Sequence, residues 1–423
     1  MKTYSSGPPA PDLLSRRLRI NAGSKLAAEI VGRALQFLLA YLAQRTLGPA
    51  GYGDFTYALS VSVVLSPLTD LGLQLIITRE IARNAAQADR IAGAGLMLKL
   101  ALTFAAGLIL ISIALSRPID LQAATFTLGL ALMFNSVVEY IGYIFRGLQR
   151  VEYEAAVTLL LRILTVILGI GALALNFGLI GLTLAYLISS GIAAAISYLL
   201  LRRKFFKPRF KIDLRYSWLL LRQALPLGGA IVLSILYTRV AVFLLQPLKG
   251  SAAVGLYGVA QKLTEALAIL PAAILAAVFP AFTQAMTNNI GQARWLQRRT
   301  LLLLFGAGVV IAICGWWGGS WLIHFLYNNQ FAGSTAALQI LAIAVLFTFI
   351  NYALTHFLVA LNLQRWILIF NMAVLALDVA ACLILIPPYG PAGAALASLI
   401  SECLLGLLCG WALWRHPLDR MAK

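Results

Sequence analysis

The sequence predicts an all-α integral membrane protein of about twelve transmembrane helices. Three observations carry this. Of its 423 residues, 61% are hydrophobic and only 11% are charged, against roughly 25% charged in soluble domains. Mean hydropathy is +0.88. The apolar runs approach the roughly 20 residues that a helix needs to span a bilayer, and are far longer than a barrel strand requires.

Residues 1–23 are a basic N-terminal segment. Pro8, Pro9 and Pro11 precede Arg16, Arg17 and Arg19, and the interleaved Leu13, Leu14, Leu18 and Ile20 suit a short interfacial helix. The segment that follows carries Glu29 and Arg33 and lacks a clean apolar core and cleavage site, which argues against a signal peptide. Spans are expected at 24–44, 54–77, 91–115, 121–145, 156–175, 179–201, 223–245, 254–281, 300–326, 336–360, 365–386 and 392–414.

The first two spans are joined by Leu47-Gly48-Pro49-Ala50-Gly51-Tyr52-Gly53. Gly48, Gly51 and Gly53 with Pro49 interrupt a helix, so a tight turn is expected, with a new helix that has Asp54 near its start. A looser copy lies at Val254-Gly255-Leu256-Tyr257-Gly258-Val259-Ala260, where Gly53 matches Gly255, Phe55 matches Tyr257 and Ala58 matches Ala260 at an offset of 202. Phe177 to Gly181 likewise matches Tyr389-Gly390-Pro391-Ala392-Gly393 at an offset of 212. Near-equal offsets from different parts of the chain indicate one duplicated unit. The expected organisation is an N-lobe at 24–201, a basic linker at 202–222, a C-lobe at 223–414 and a tail at 415–423.

Charge sets the orientation. Of 33 basic residues, 25 fall in segments on one side, and only Arg45, Arg117 and Lys249 fall in the opposite loops. Both termini are therefore expected in the cytoplasm. The same asymmetry disposes of a nucleic-acid partner, despite a net charge of +18. The linker is expected to lie at the anionic inner leaflet.

Five cations remain inside spans: Arg33, Lys99, Arg162, Arg239 and Lys262. A charge at the bilayer centre costs about 2.5–3.5 kcal/mol on insertion scales unless paired or wetted. Glu29 and Arg33 are spaced i,i+4, Lys262 and Glu265 i,i+3, and Arg239 has no local acid. Lys99 and Arg162 are close enough to span ends to snorkel. Arg33, Arg239 and Lys262 are thus the expected lining of a cationic cavity. The acids Glu29, Asp70, Glu265, Asp378 and Glu402 are candidates for ion coupling or pairing. Asp70, like Glu139, is expected near a solvated end. Asp378 and Glu402 lie mid-helix, either as cation or proton sites or as neutral packing groups. Pro67, Pro226 and Pro271 mark hinges or static kinks.

Catalysis is not indicated. There is no P-loop, Rossmann fingerprint or nucleophile elbow. Cys314, Cys382, Cys403 and Cys409 lie in apolar runs without metal-ligand spacing, and His324, His356 and His416 are scattered. No metal or cofactor is expected. A membrane glycosyltransferase or polymerase usually carries long outer loops or an Asp/His cluster, whereas the outer loops here are short.

Taken in order, the motifs resemble those of the polysaccharide-lipid flippases, the Wzx-type exporters of the MOP superfamily. The matching runs are Leu47, Gly48, Tyr52 and Gly53; Asp70-Leu71-Gly72-Leu73 with Arg79-Glu80; and Val254, Gly255, Tyr257, Ala260, Lys262 and Glu265. Pro271, Phe279 and Pro280 follow, then Tyr389, Gly390, Gly393, Ala394, Ala395, Ser401 and Glu402. Family members often carry Arg-Ile-Asp in helix seven, where this chain has Arg239-Val240-Ala241. The resemblance implies two six-helix lobes around a central cavity in a bacterial inner membrane. The implied substrate is an undecaprenyl-diphosphate-linked oligosaccharide, moved from the inner to the outer leaflet. Membrane lipids, a glycan polymerase and glycosyltransferases are the implied partners. The alternative is an ion-coupled exporter of cationic drugs from the MATE branch, which would want an acidic cavity.

Overall fold

The computed structural model describes residues 11–206 and 214–416, with side chains from Gly32 onward apart from Arg33, Asp120 and a few positions between 214 and 230. No strand occurs among the described residues. The helices are α1 (Pro11–Leu65), α2 (Leu73–Arg83), α3 (Ala88–Leu115), α4 (Ile119–Gly147), α5 (Val151–Ala174), α6 (Gly178–Lys204), α7 (Leu214–Ala266), α8 (Ile269–Asn288), α9 (Ile290–Tyr327), α10 (Thr335–Ala360), α11 (Gln364–Tyr389) and α12 (Pro391–Arg415).

Nine stretches among the described residues are long and apolar enough to cross a membrane. Three of them, Ala34–Arg83, Ile231–Asn288 and Ile290–Ala360, are long enough for two passes and contain a break. Counted with those breaks, the described residues make twelve passes, and the protein is a multi-pass membrane protein.

The duplication is visible in the backbone. α1 departs from helical geometry at Gly48 (φ 66°, ψ −177°) and α7 at Gly250 (φ 77°, ψ 179°). These positions share the offset found between Gly53 and Gly255. An L side chain at such a positive φ clashes with its own carbonyl, so glycine is needed there. Gly178 and Gly390 also pair, with φ of 61° and 55°. In addition, each half breaks its second pass. The second arm of α1 ends at Leu65 and resumes as α2, and the second arm of α7 ends at Ala266 and resumes as α8.

A continuous helix over 54–77 was expected, and the first break corrects that. Pro67 opens a 3-10 turn at Ser66–Thr69, and Leu71 (φ 42°) and Gly72 (φ 83°) then turn left-handed. Proline cannot donate into the helix ladder, which lets the chain leave helical geometry here.

The chain divides into two compact units, Met1–Ala43 with Leu65–Gly228, and Gln44–Val64 with Gly229–Lys423. In the first, α4 packs on α6, α3, α2 and α5. Leu73, Ile77, Ile81, Tyr140, Ile144 and Phe145 form its core, and the Tyr140 hydroxyl donates to the Ala92 carbonyl at 2.7 Å. In the second, α10 lies against both α9 and α12. Phe282 and Phe357, with ring centroids 4.6 Å apart, anchor one core. Leu358, Phe370, Val374 and Cys409 form another.

The second unit takes in residues 44–64, which the sequence-based division keeps with the first half. The reason is a crossing of two glycines. A Cβ on Gly53 would collide with the Ser251 carbonyl oxygen, and a Cβ on Gly255 with the Pro49 carbonyl oxygen. Only hydrogen at both positions lets the two backbones approach so closely. Positions 49 and 251 are themselves duplication equivalents, so the crossing is symmetric about the repeat. Around it, Ser251 Oγ donates to Asp54 Oδ1, Gln246 Nε2 donates to Ser251 Oγ at 3.0 Å, and Tyr327 donates to Gln44.

Candidate functional site

Three polar clusters sit inside these apolar helices. The first spans the two arms of α7. Arg239 lies 11 residues before the Gly250 kink and Lys262 lies 12 after it. At 1.5 Å per residue both stand about 16–18 Å from the turn, at matching depth on facing arms. Arg239 Nη1 lies 3.2 Å from Glu265 Oε1, with the two side chains 21% and 39% exposed. Arg239 therefore has an acidic partner, contrary to the sequence expectation. Glu265 reaches across to the other arm instead of to Lys262 on its own helix. The contact is invisible in local spacing because the turn at Gly250 creates it.

The Arg239 Nε is buried and has no hydrogen-bond partner among the described residues. Lys262 is half-buried, and among the described residues it takes part in no hydrogen bond or ion pair. Tyr52 lies in the field of both Glu265 and Arg239, and Gln261 Nε2 donates to the Thr238 carbonyl at 3.3 Å. The side chains of Arg33 and Glu29 lie outside the described residues. One neighbour of that segment is described: a Cβ on Gly32 would run into the guanidinium of Arg162. Arg162 thus lies across α1.

The second cluster joins α7, α10, α11 and α12. Asn351 Nδ2 donates to Glu402 Oε2 at 2.6 Å and to the Glu402 carbonyl at 2.9 Å. Tyr237 donates to Glu402 Oε1 at 3.2 Å. Ser401 Oγ donates to Asp378 Oδ1 at 3.0 Å, and Tyr257 and Ser398 share a hydrogen bond at 3.2 Å. Asp378 is 2% exposed. Every described partner of these two carboxyls is neutral. An unpaired carboxylate in an apolar interior costs several kcal/mol, and these hydrogen bonds from neutral donors offset part of that cost.

The third cluster is in the first unit, at the break before α2. Lys99 is fully buried, and its Nζ lies 3.2 Å from Asp70 Oδ1 and 3.3 Å from Thr69 Oγ1. Asp70 also accepts from the backbone N–H of Gln74, in the first turn of α2, at 3.3 Å. Neither residue reaches a solvated end as expected. Asp70 is 8% exposed, and Lys99 turns inward because a carboxylate awaits it there. Glu139 is exposed and accepts from Asn135 Nδ2 at 3.1 Å.

Of the glycines expected at turns, Gly48 and Gly390 take a positive φ, whereas Gly51, Gly53, Gly255 and Gly393 lie in helical backbone and serve close approaches instead. Gly51 packs on Leu47, and a Cβ on Gly393 would strike the Leu385 carbonyl where α12 begins. Sequence reasoning missed Asn351 and Tyr237, and named Ser401 only within a motif, not as a partner of Asp378. The signal was present for Asn351, a lone amide within an apolar span, since polar groups at membrane depth are rarely idle. Among the described residues no group of three or more His, Cys, Asp or Glu side chains could hold a metal.

Comparison with known proteins fits this geometry. The polysaccharide biosynthesis protein family matches residues 18–286, and the MatE family matches residues 226–384. No curated protein matches the chain. Among solved structures, an inward-facing multidrug resistance MATE transporter of the MOP superfamily superposes with a TM-score of 0.76 at 17% identity, covering 92% of this chain and 96% of its own. The lipid II flippase MurJ in an inward closed conformation gives 0.72 at 14% identity, covering 94% and 89%. A MOP-superfamily transporter from Pyrococcus furiosus, described as having a binding pocket of reversed polarity, gives 0.58 at 18% identity, covering 96% of both chains. The fold is thus that of the MOP-superfamily transporters, and the chain belongs to the polysaccharide biosynthesis protein family.

Proposed function

We propose that this protein moves an oligosaccharide carried on undecaprenyl diphosphate from the inner to the outer leaflet by alternating access, as part of O-antigen, exopolysaccharide or capsule assembly. The observation that carries the reading is Lys262. It is a cation about 18 Å along an apolar helix from its turn, with no described partner to neutralise it. A lysine there is tolerable only if water or an anion meets it. A diphosphate headgroup supplies that anion, and the lysine in turn lowers the cost of carrying two phosphates through oil. Arg239, held toward the same arm by Glu265, adds a second positive group.

Energy would come from an ion gradient acting through the second cluster, or from consumption of the product outside. Among the described residues Asp378 and Glu402 have neutral partners only, which suits the taking up and release of a proton or cation. The first arm of α7 carries Tyr237 toward Glu402 and, two residues on, Arg239 toward Glu265. One rigid helix thus touches both the ion-sensitive carboxyl and the cationic group, and either can bias its position. Asp70 and Glu265, each neutralised by a cation, are pairing groups in this scheme.

The test is glycan export in a deletion strain complemented with Lys262→Ala, Lys262→Arg or Arg239→Ala, with folded protein quantified in the membrane. Loss of export in the alanine variants and partial recovery in Lys262→Arg is expected. Full export by Lys262→Ala would end the assignment. The match of residues 226–384 to the MatE family favours a second reading, drug export driven by the same acidic cluster. Drug hypersensitivity of the deletion strain with normal glycan export would select it.

A further inference from the structure

The C-terminal end of α9 carries aromatic side chains that none of these clusters uses. Trp317, Trp321 and Phe325 are 81%, 67% and 67% exposed. Spaced i, i+4 and i+8, they share one face of the helix over about 12 Å. The packed face is the opposite one. A Cβ on Gly315 would strike Ala342 of α10, and one on Gly319 would touch Gln339 and Leu338. Ile323 and Tyr327 are buried on the same stripe. Two residues along an α-helix is a rotation of about 200°, so the rings point away from α10. Trp321 and Phe325 stack with centroids 5.2 Å apart and planes 11° from parallel, so each ring holds the other in place.

Their level follows from the length of the helix. α9 has 38 residues, about 57 Å against a hydrocarbon thickness of roughly 30 Å. Trp295, with Arg299 over its ring at 4.9 Å, marks the interface at the start of α9. About 20 residues after Arg299 the helix leaves the hydrocarbon. Trp317 stands just within that boundary, and Trp321 and Phe325 stand beyond it. This is the side opposite the basic segments, which the charge distribution makes extracytoplasmic. Next in the chain, Asn328, Asn329 and Gln330 are exposed at the start of the 3-10 turn Asn328–Ser334. Asn329 Oδ1 lies 3.2 Å from His324 Nδ1. The side chains of Asn328 and Gln330 have no partner among the described residues. The turn itself is pinned: Phe331 is fully buried beside Tyr327, and Ser334 Oγ donates to the Leu256 carbonyl at 2.7 Å.

A lipid-anchoring belt would spread tryptophans over many helix ends. Here Trp218, Trp295, Trp366, Trp411 and Trp414 lie at helix ends on the basic side, whereas the remaining three of the eight, Trp316, Trp317 and Trp321, all lie on α9 within six residues. From Thr300 to Gln364 the chain contains no Asp, Glu, Lys or Arg, so this end of α9 and α10 offers no charge of its own. It offers flat apolar rings beside amides that both donate and accept hydrogen bonds. A sugar ring is the complement of that surface. Its C–H faces are apolar and cover an aromatic ring, and the hydroxyls at its rim donate and accept. We propose that this surface binds neutral sugars, stacked on Trp321 and Phe325 with Trp317 below them and hydrogen-bonded to Asn328 and Gln330. The ligand is the exported glycan at its exit. The inference rests on the transport reading for the source of the sugar, and narrows that cargo to a glycan presenting uncharged residues.

The protein in phosphatidylcholine nanodiscs, free of sugar-headed detergent, is titrated with maltohexaose, mannohexaose or N-acetylchitohexaose, and with hexagalacturonate as the anionic counterpart. Saturation-transfer NMR and tryptophan fluorescence are the readouts. At least one neutral hexasaccharide is expected to receive transfer from the aromatic protons and to shift the emission, while hexagalacturonate does neither. A Trp317→Leu/Trp321→Leu/Phe325→Leu variant keeps an apolar face for lipid but loses at least tenfold in apparent affinity. Asn328→Gly/Gln330→Ala, in which glycine accepts the positive φ of Asn328, also loses affinity. Trp414→Leu, which removes an 80% exposed ring on the other side, does not. Equal binding of hexagalacturonate, or unchanged binding in the triple variant, would overturn the site. Should no neutral hexasaccharide bind to protein that still exports glycan, the platform falls and the transport reading stands. Glycan released from the strain's own surface polymer is expected to compete, and failure to compete would overturn the assignment to the exported cargo. If the triple variant does not fold, the amide variant decides the question.

Discussion

Replacing Lys99 by methionine isolates the buried ion pair of the first unit. Lys99 lies 11 residues into α3, about 16 Å from its start, and is fully buried beside Asp70 Oδ1 at 3.2 Å. Methionine fills much of the same volume, so the change removes charge with little cavity. It leaves the Asp70 carboxylate without its cation in an apolar setting, and breaking such a pair costs about 3–5 kcal/mol. Asp70→Asn should cost a similar amount by stranding the ammonium, while the asparagine oxygen can still accept from the Gln74 N–H. The double variant Asp70→Asn/Lys99→Met removes both charges and should lie within about 1–2 kcal/mol of the parent, because swapping out a whole buried pair is often close to neutral. The assay is reversible unfolding by SDS in mixed micelles, followed by circular dichroism, with the three variants read as a double-mutant cycle. A Lys99→Met protein within about 0.5 kcal/mol of the parent, or strict additivity in the double variant, would refute the reasoning, since surface pairs behave that way.

Three further outcomes are expected. Gly53→Val or Gly255→Val should destabilise the second unit by about 1–3 kcal/mol through overpacking against a backbone carbonyl that cannot swing aside, measured by the same unfolding assay; Gly171→Ala, where nothing lies within 4 Å, is the neutral control. Arg239→Ala should cost no more than about 1 kcal/mol of stability, because Glu265 is 39% exposed and water screens it, yet should abolish export; a large loss of folded protein would make Arg239 structural. Glu402→Gln should keep the fold, since the glutamine oxygen still accepts from Asn351 and its NH2 can donate to the Tyr237 hydroxyl oxygen, and should lower export at least tenfold while removing its dependence on the proton or sodium gradient, read by substrate accumulation at varied external pH and sodium.

Composition and spacing alone determined that the chain crosses a membrane, how often, and where it repeats. Twelve apolar runs need no tertiary contact to announce themselves, because backbone polar groups at membrane depth must be satisfied within each helix. Gly48 and Gly390 were legible for the same local reason, since only glycine tolerates the φ at those points, whereas Gly53 and Gly255, expected as turns, are helical and are required by a close approach that only the tertiary structure reveals. Partnerships were decided by the tertiary structure alone. Glu265 meets Arg239 because two arms fold back about Gly250, Lys99 meets Asp70 because the second pass breaks after Pro67, and Glu402 meets Asn351 because α12 lies on α10. A charge inside a membrane declares in sequence that it needs a partner, but the partner's identity depends on which helices touch, and helix contact is set by packing of side chains that are nearly all equally apolar.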